Sequence, residues 1–250
     1  MKVILRERLE EKKAVFGTFL SILHPDVAEI IARVGFDFAL LDTEHAPGGL
    51  DGIKNMLQIM DGYNITNLIR VAWNDMVLIK KALDLGTHGI VVPMVNNKKE
   101  AEYAVKAILY PPKGVRGFGP IRSIMFDKDY VTTADKELLL LLQIETEEGV
   151  KRCEEIIEVD RVDGILVGPY DLSLSLNLYG QLEHPKFVEA VKRIAKITRD
   201  KGKIAATYVD IDSLKRWLDY GYNMFILEMD IFILKKALAN ILERAKELVK

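Results

Sequence analysis

Residues 67–95 decide the fold and read NLIRVA (67–72), WND (73–75), MVLIKKALDL (76–85), GTH (86–88) and GIVVPMV (89–95). The first and last runs are short and apolar, as in strands buried on both faces, whereas the middle run repeats its apolar residues at helical spacing. Gly86 follows the helical run, where a left-handed helix cap is expected. Strands joined by a helix run parallel with a right-handed crossover, so this stretch predicts one βα unit and the strand after it.

The same alternation extends over the whole chain. It predicts strands at residues 15–22, 36–43, 67–72, 89–95, 138–144, 164–167, 203–208 and 224–228. It predicts helices at residues 25–34, 50–60, 76–85, 98–109, 147–158, 185–200, 211–219 and 231–249. Such a series in 250 residues favours one domain, residues 1–250, folded as an α/β protein of the (β/α)8 TIM barrel type, with an open doubly wound sheet as the alternative. Residues 110–135 are too rich in proline and glycine for a continuous helix.

Composition and charge narrow the class of partner. The chain is 49% hydrophobic and 29% charged, as in ordinary globular proteins, and its formal net charge of -2 offers no attraction to nucleic acid. Charged residues interrupt the N-terminal stretch and no apolar run reaches membrane-spanning length, so we expect neither a signal peptide nor a membrane partner. Cys153 is the single cysteine, which fits a cytoplasmic protein and leaves metal binding to oxygen or imidazole ligands. We expect a small-molecule partner.

Charged and polar side chains follow the predicted strands, where the active sites of (β/α)8 barrels lie. They are Asp42 at the end of the second strand, Glu44 and His45 just after it, Arg70 in the third, Gln143 and Glu145 in and after the fifth, and Asp171 after the sixth. Residues two apart share a strand face, so Gln143 and Glu145 can point together. We assign Glu145 and Asp171 to a divalent cation, Mg²⁺, Mn²⁺ or Co²⁺, because such ions accept two carboxylates and water. The alternative is that these acids cap the following helices.

Several ordered motifs resemble those of the HpcH/HpaI aldolases, and the resemblance spans nearly the whole chain. The matching stretches are Asp42-Thr43-Glu44-His45-Ala46-Pro47, Ile69-Arg70-Val71, Val92-Pro93-Met94-Val95, Tyr110-Pro111-Pro112 with Arg116-Gly117, Gln143-Ile144-Glu145 and Gly168-Pro169-Tyr170-Asp171-Leu172-Ser173. The family includes 4-hydroxy-2-oxoheptanedioate, 2-keto-3-deoxy-L-rhamnonate and 2-dehydro-3-deoxyglucarate aldolases. The resemblance therefore implies a barrel of the phosphoenolpyruvate/pyruvate type and a class II aldolase, which cleaves a 4-hydroxy-2-oxo acid to pyruvate and an aldehyde.

The resemblance also implies roles for individual residues. It implies that Glu145 and Asp171 bind the metal and that Gln143 contacts the substrate. It also implies that His45 is the general base and that Arg70 stabilises the oxyanion. It implies that the backbone around Gly168, Tyr170 and Asp171 binds the pyruvate carboxylate. We expect Asp42 or Glu44 to position a water on the metal. Without the resemblance, His45 could equally be a hydrogen-bonded residue at the rim of the barrel. Arg70 could equally form a salt bridge across the barrel mouth.

Asp84 matches a family acid that raises the basicity of the histidine. It ends a predicted helix and so lies at the opposite rim from His45, from which we expect it to reach the histidine of a neighbouring subunit. The resemblance implies a homo-oligomer, commonly a hexamer with exchanged terminal helices. The alternative for residues 231–249 is packing on their own barrel.

Two positions depart from the family pattern. Ala72 stands where proline is common, and Tyr170 stands where a small or amide-bearing residue is common. The tyrosine ring would narrow the pocket.

Two other functions remain open. They are an acyl-CoA lyase acting on malyl or citryl thioesters and a non-catalytic metabolite-binding barrel. A binding protein need not lose its function with EDTA, whereas the aldolase should.

Overall fold

The fold is a closed ring of parallel strands, each paired with the next along the chain and the last paired with the first. The computed structural model describes residues 3–250. The strands are β1 Val15–Leu20, β2 Phe38–Asp42, β3 Thr66–Arg70, β4 Gly89–Val92, β5 Leu139–Ile144, β6 Gly164–Val167, β7 Ile204–Val209 and β8 Met224–Met229. The predicted (β/α)8 barrel is confirmed, and the open sheet is excluded because β8 pairs with β1.

Helices surround the ring. They are α1 Ile4–Glu11, α2 Pro25–Val34, α3 Leu50–Met60, α4 Met76–Asp84, α5 Lys98–Ile108, α6 Ile121–Phe126, α7 Tyr130–Glu137, α8 Glu147–Lys151, α9 Cys153–Ile157, α10 Pro169–Ser175, α11 Pro185–Asp200, α12 Leu214–Asp219 and α13 Asp230–Leu248. The helix predicted at 147–158 is interrupted at Arg152, where φ of -103° and ψ of 11° depart from the helical region. The long connection at 110–135 contains the short helix α6 and the start of α7, neither of which was predicted.

The strands are almost entirely buried because side chains on both of their faces pack against other side chains. One apolar cluster fills the ring and includes Phe38, Leu68, Leu141 and Met224. A second, larger cluster lies between the strands and the helices. Helix α1, also missed by the sequence analysis, adds the fully buried Leu5 to the inner cluster and so contributes to the core of the barrel.

Glycines end several helices as the sequence predicts. Gly35, Gly86, Gly202 and Gly221 have φ values of 92°, 84°, 70° and 100°, the left-handed region in which glycine carries no steric penalty. Each of these turns leads into the next strand. The helices and strands on either side of these glycines begin and end within a few residues of their predicted bounds.

Helix α13 is anchored at its first residue and otherwise exposed. The carboxylate of Asp230 is buried and accepts hydrogen bonds from the backbone N–H groups of Ser21 and Ile22 and from the Ser21 hydroxyl. Every residue from 231 to 250 is exposed, including apolar Leu234, Leu238 and Ile241. The helix therefore does not pack on its own barrel, which was the alternative left open. Within residues 3–250, no helix is long and apolar enough to cross a membrane.

Candidate active site

A cavity of about 560 Å³ opens at the carboxyl ends of the strands. The cavity is lined by six residues that the sequence predicts to belong to the site, together with several that it does not. The lining residues are Phe19, His45, Arg70, Gln143, Leu166, Val167, Gly168, Pro169, Tyr170, Asp171, Tyr208, Asp210, Ile226, Glu228, Met229 and Phe232. A smaller cavity of about 320 Å³ is lined by His88, Arg122 and residues near the amino ends of the strands, away from the predicted site.

Arg70 is the cation of the cavity, and it is held by two acids. Asp42 lies opposite Arg70 in the pairing of β2 with β3, and its oxygens accept from Nε and Nη2 of Arg70 at 2.9 Å each. Glu44 Oε2 lies 3.1 Å from Arg70 Nη1. The Phe19 ring packs against the guanidinium, 4.6 Å from ring centroid to Cζ. This two-point pairing between neighbouring strands fixes the plane of the guanidinium.

Glu145 lies directly behind the lining residues Gln143 and Gly168. Its Oε1 accepts from the backbone N–H of Met94 at 2.8 Å, and its Oε2 accepts from the Gln143 side-chain amide. Burial raises the pKa of Glu145 to about 7, against the two hydrogen bonds, which lower it. A Cβ at position 168 would lie 2.7 Å from Glu145 Oε2, so only glycine allows the backbone to approach this carboxylate so closely.

Two further carboxylates, those of Glu44 and Asp171, interact electrostatically with Glu145. Burial raises the pKa of Glu44 to about 7, with contributions from the charges of Asp42 and Asp171, although the Arg70 charge lowers it. The charges of Glu44 and Asp171 in turn raise the pKa of Glu145. Asp171 is exposed in the first turn of α10 and lines the cavity. Glu44, Glu145 and Asp171 together form a region of negative potential that a cation would neutralise.

The side chains present suit an ion that prefers oxygen ligands. Among residues 3–250, no group of three or more His, Cys, Asp and Glu side chains is placed to hold a metal ion. Glu145 and Asp171 can therefore contribute only part of a coordination shell, as is usual for Mg²⁺ sites that retain water. Gln143 Oε1 is buried and has no hydrogen-bond partner, although Gln143 lines the cavity. A buried acceptor without a partner is expected to receive one from a bound ligand or water.

His45 lies at the cavity edge and is largely open to solvent. Its side chain is 65% exposed, and its Nε2 lies 3.8 Å from Glu44 Oε2, beyond hydrogen-bond distance. Tyr170 is also exposed, with its ring centroid 6.2 Å from that of Tyr208. Both side chains thus stand at the entrance, where a substrate would contact them.

Asp84 is not brought to this site within the chain. Its carboxylate pairs with Arg116 at 3.2 Å, and the Arg116 guanidinium packs over the rings of Tyr110 and Tyr130. Asp84 ends α4, which returns from the carboxyl rim to the amino end of β4. A contact between Asp84 and His45 therefore requires two subunits and remains a prediction.

Three lining residues that we did not select are Phe19, Tyr208 and Glu228. The signal that could have found two of them is the two-residue period of an inward strand face. Ile204 and Ala206 belong to the inner cluster and lead to Tyr208, and Met224 and Ile226 lead in the same way to Glu228.

A closed parallel barrel with carboxylates and an arginine clustered at its carboxyl rim defines a barrel enzyme, and comparison with known proteins gives its family. Residues 15–237 match the HpcH/HpaI aldolase/citrate lyase family. The 4-hydroxy-2-oxo-heptane-1,7-dioate aldolase of Escherichia coli is 34% identical over 242 residues, which are 95% of this chain and 92% of the relative. This chain therefore belongs to the HpcH/HpaI aldolase/citrate lyase family, and it is an enzyme of the carbon–carbon lyase class, as the resemblance implied.

Solved structures agree with this assignment. A HpcH/HpaI aldolase/citrate lyase family protein from Burkholderia cenocepacia J2315 superimposes with a TM-score of 0.92 at 26% identity, covering 97% of this chain and 98% of that one. A structure of citrate synthase SbnG superimposes with a TM-score of 0.89 at 29% identity, covering 98% of both chains. The family fold thus accommodates proteins named for more than one carbon–carbon bond reaction.

The raised pKa of Glu145 predicts how stability depends on pH when no metal is added. Its pKa is about 7 in the folded protein and 4.5 in the unfolded chain, so the folded state binds more protons between these values and stability falls as pH rises through them. Glu145→Gln should raise the free energy of unfolding at pH 8 by about 1–3 kcal/mol. Rotation of the Gln143 amide lets its unpartnered Oε1 accept from the new amide.

The measurement is urea unfolding in EDTA at pH 8 and at pH 4.5, with the exposed Glu154→Gln as the matched control. The gain from Glu145→Gln should shrink at pH 4.5, where the native carboxyl is protonated. An equal gain at both pH values, or none at pH 8, would show that the buried charge is not the cause.

Proposed function

We propose that this protein is a class II aldolase that uses a divalent metal ion to cleave a 4-hydroxy-2-oxo acid reversibly to pyruvate and an aldehyde. The observation that carries the proposal is the buried Glu145 carboxylate, whose hydrogen-bond partners, Met94 N–H and the Gln143 amide, are both neutral. A buried carboxylate with neutral partners and other acids nearby is costly when ionised. A cation shared with Asp171 would offset that cost.

Glu145 and Asp171 would hold Mg²⁺, Mn²⁺ or Co²⁺. When bound, such an ion supplies positive charge that polarises the carbonyl of a 2-oxo acid and acidifies the adjacent carbon. Gln143 offers its free Oε1 and its amide group to the substrate. Tyr170 and Asp171 are in the first turn of α10, where backbone N–H groups lack helical acceptors and are available to the pyruvate carboxylate.

Arg70 stabilises the negative oxygen that forms during cleavage. The pairing with Asp42 uses Nε and one hydrogen of Nη2, which leaves Nη hydrogens for a ligand in the cavity that Arg70 lines. Because Asp42 and Glu44 fix the guanidinium before substrate binds, little reorganisation is needed as charge develops. Asp42 is therefore a positioning residue for Arg70. Glu44, rather than the locked Asp42, is the better candidate for assisting proton transfer.

His45 moves the proton. In cleavage, the base takes the proton of the C4 hydroxyl, the C3–C4 bond breaks, its electron pair remains with the pyruvate half as an enolate, and the aldehyde leaves. The enolate carbon then takes up a proton to become the methyl group of pyruvate. An imidazole suits transfer in both directions near neutral pH, and Glu44 lies 3.8 Å from its Nε2. Asp84 of a neighbouring subunit would orient the imidazole.

A second candidate function is citrate-type or acyl-CoA chemistry, favoured by the similarity to the structure named citrate synthase SbnG. Such a reaction also passes through an enolate, but that enolate forms next to the carbonyl of a thioester substrate. A third, non-catalytic metabolite binding, would leave the arrangement of Arg70 and the acids without a chemical role.

The deciding experiment incubates the protein with pyruvate in deuterated water and follows loss of the methyl proton signal, and then adds a panel of aldehydes. Exchange and aldol products should require added Mg²⁺, Mn²⁺ or Co²⁺ and should disappear with EDTA. A parallel incubation with acetyl-CoA and oxaloacetate tests the second candidate. Metal-independent exchange, or product only from the thioester, would overturn the metal-dependent aldolase.

Replacement of His45 tests the proton transfer. His45→Ala should slow pyruvate methyl exchange about a hundredfold or more while the metal content stays unchanged, because the imidazole is 65% exposed and not among the proposed ligands. His184→Ala is the matched control, since His184 caps α11 outside the cavity. Wild-type exchange rates in His45→Ala would remove His45 from this role.

We also propose a homo-oligomer in which α13 packs on a second copy, as the family resemblance implies for hexamers, and the exposed apolar face of this helix supports the proposal. Leu234, Leu238 and Ile241 share one helical face and are 50%, 58% and 65% exposed. Replacing these three by serine should shift the protein towards monomers in light scattering, whereas Lys236→Ser should not. A wild-type protein that is monomeric and fully active would contradict both this interface and the role of Asp84 across subunits.

A further inference from the structure

The cavity has a second wall that the reaction proposed above does not use. Strands β7 and β8 lie across the barrel from β3 and β4, because the eight strands close in chain order. We call the lining residues from β7, β8 and their carboxyl ends the distal wall. They are Tyr208, Asp210, Ile226, Glu228, Met229 and Phe232.

Glu228 lines the cavity at an irregularity of the barrel. Gly17 pairs with Ile226 and Phe19 pairs with Met229, so β8 has one residue more than β1 between these pairs, which is a β-bulge. Glu228 lies in that bulge with φ of 55°, a left-handed conformation that a side chain rarely adopts. Its backbone carbonyl accepts from the Thr18 hydroxyl at 3.2 Å. A non-glycine residue held in this conformation at a cavity wall points to a role for its side chain.

The distal wall is acidic, whereas the cations of the cavity lie elsewhere. Its charged lining residues are Asp210 and Glu228, while Arg70 lies on the β3 side and His45 follows β2. Arg70 is moreover already paired with Asp42 at 2.9 Å and with Glu44 at 3.1 Å. A ligand carboxylate that reached the distal wall would meet like charge there, with no unpaired lining cation to receive it.

Tyr208 adds a hydrogen-bond donor to the acceptor oxygens of Glu228. Burial raises the pKa of Tyr208 well above its ordinary value, and the charge of Glu228 and a hydrogen bond to it act in the same direction. The hydroxyl therefore stays protonated at neutral pH. The Phe19 ring lies 6.1 Å from the Tyr208 ring and also packs against Arg70, and the Tyr170 ring lies 6.2 Å from the Tyr208 ring.

A second, independent observation also points to a ligand in this cavity. Gln143 is 1% exposed, lines the cavity, and keeps a buried Oε1 without a hydrogen-bond partner. A ligand that bound Gln143 and the nearby acids at one end would extend its remaining atoms towards Tyr208 and Glu228.

We infer that Glu228 is a specificity-determining residue that, with Tyr208, selects an uncharged hydroxylated aldehyde and rejects one ending in a carboxylate. This inference rests on the proposed aldolase function. Glu228 accepts hydrogen bonds from substrate hydroxyl groups, Tyr208 offers a hydroxyl that can donate or accept, and the negative charge disfavours an acidic terminus. The substrate named for the Escherichia coli relative is a heptane-1,7-dioate, which carries a second carboxylate.

The test uses two three-carbon aldehydes that differ at the terminus, glyceraldehyde with a hydroxymethyl group and tartronate semialdehyde with a carboxylate. Metal-loaded wild-type protein should add pyruvate to glyceraldehyde with the higher kcat/KM. Glu228→Gln should raise the ratio of kcat/KM for tartronate semialdehyde over glyceraldehyde about tenfold, the effect of removing one like-charge contact near a protein surface. Glu154→Gln, an exposed acid outside the cavity, should leave the ratio unchanged.

Glu228→Gly guards against a folding defect, because glycine adopts a φ of 55° without strain. It should also raise the ratio, and it should lower kcat/KM for glyceraldehyde because the hydrogen-bonding oxygens are lost. A merely structural role for Glu228 would change both aldehydes alike.

The outcomes separate this inference from the proposed function. Methyl exchange of pyruvate needs no aldehyde, so normal exchange with an unchanged ratio in both variants, or with a wild-type preference for tartronate semialdehyde, overturns the inference alone. Absence of exchange and of aldol products in the metal-loaded wild-type protein overturns the proposed function, and the inference with it.

Discussion

Closure of the parallel ring is the constraint on which the rest of the structure depends. Once β8 pairs with β1, the carboxyl ends of all the strands meet at one rim, and residues distant in sequence become neighbours. The pairing of β2 with β3 sets Asp42 beside Arg70, and the pairing of β5 with β6 sets Ile144 beside Val167, so that Glu145 and Gly168 follow together. The geometry of the site is thus a product of strand register more than of any single loop.

The site is maintained at a cost to the stability of the folded protein. Glu44 and Glu145 each have a pKa of about 7 because burial disfavours their charged forms, and the neighbouring acids add to this effect. An apolar side chain at position 145 would avoid the penalty but would offer nothing to a cation. Asp42 and Arg70 show the opposite arrangement, in which a buried charge is fully paired and serves to orient its partner.

The sequence was sufficient to predict the architecture and several residues that line the cavity, such as Arg70 and Gln143. The alternation of apolar strands with periodic helices identified all eight strands of the ring, and glycine caps such as Gly35 and Gly86 were located correctly. Short elements were missed because they carry little periodicity: α10 has 7 residues, and α1 has Leu5 as its buried residue. The left-handed backbone of Glu228 could not be predicted, because a bulge is a property of two strands together and neither strand's sequence records how many residues oppose each other.

The anchoring of α13 has a consequence for how assembly and ligand binding depend on each other. Asp230 ties the start of the helix to Ser21 and Ile22, while its neighbours Met229 and Phe232 line the cavity. A second copy seated along the helix would thereby fix part of the cavity wall. Thermodynamic linkage then makes the effect mutual. If association of the subunits increases the affinity for a substrate, binding of that substrate strengthens the association of the subunits by the same factor.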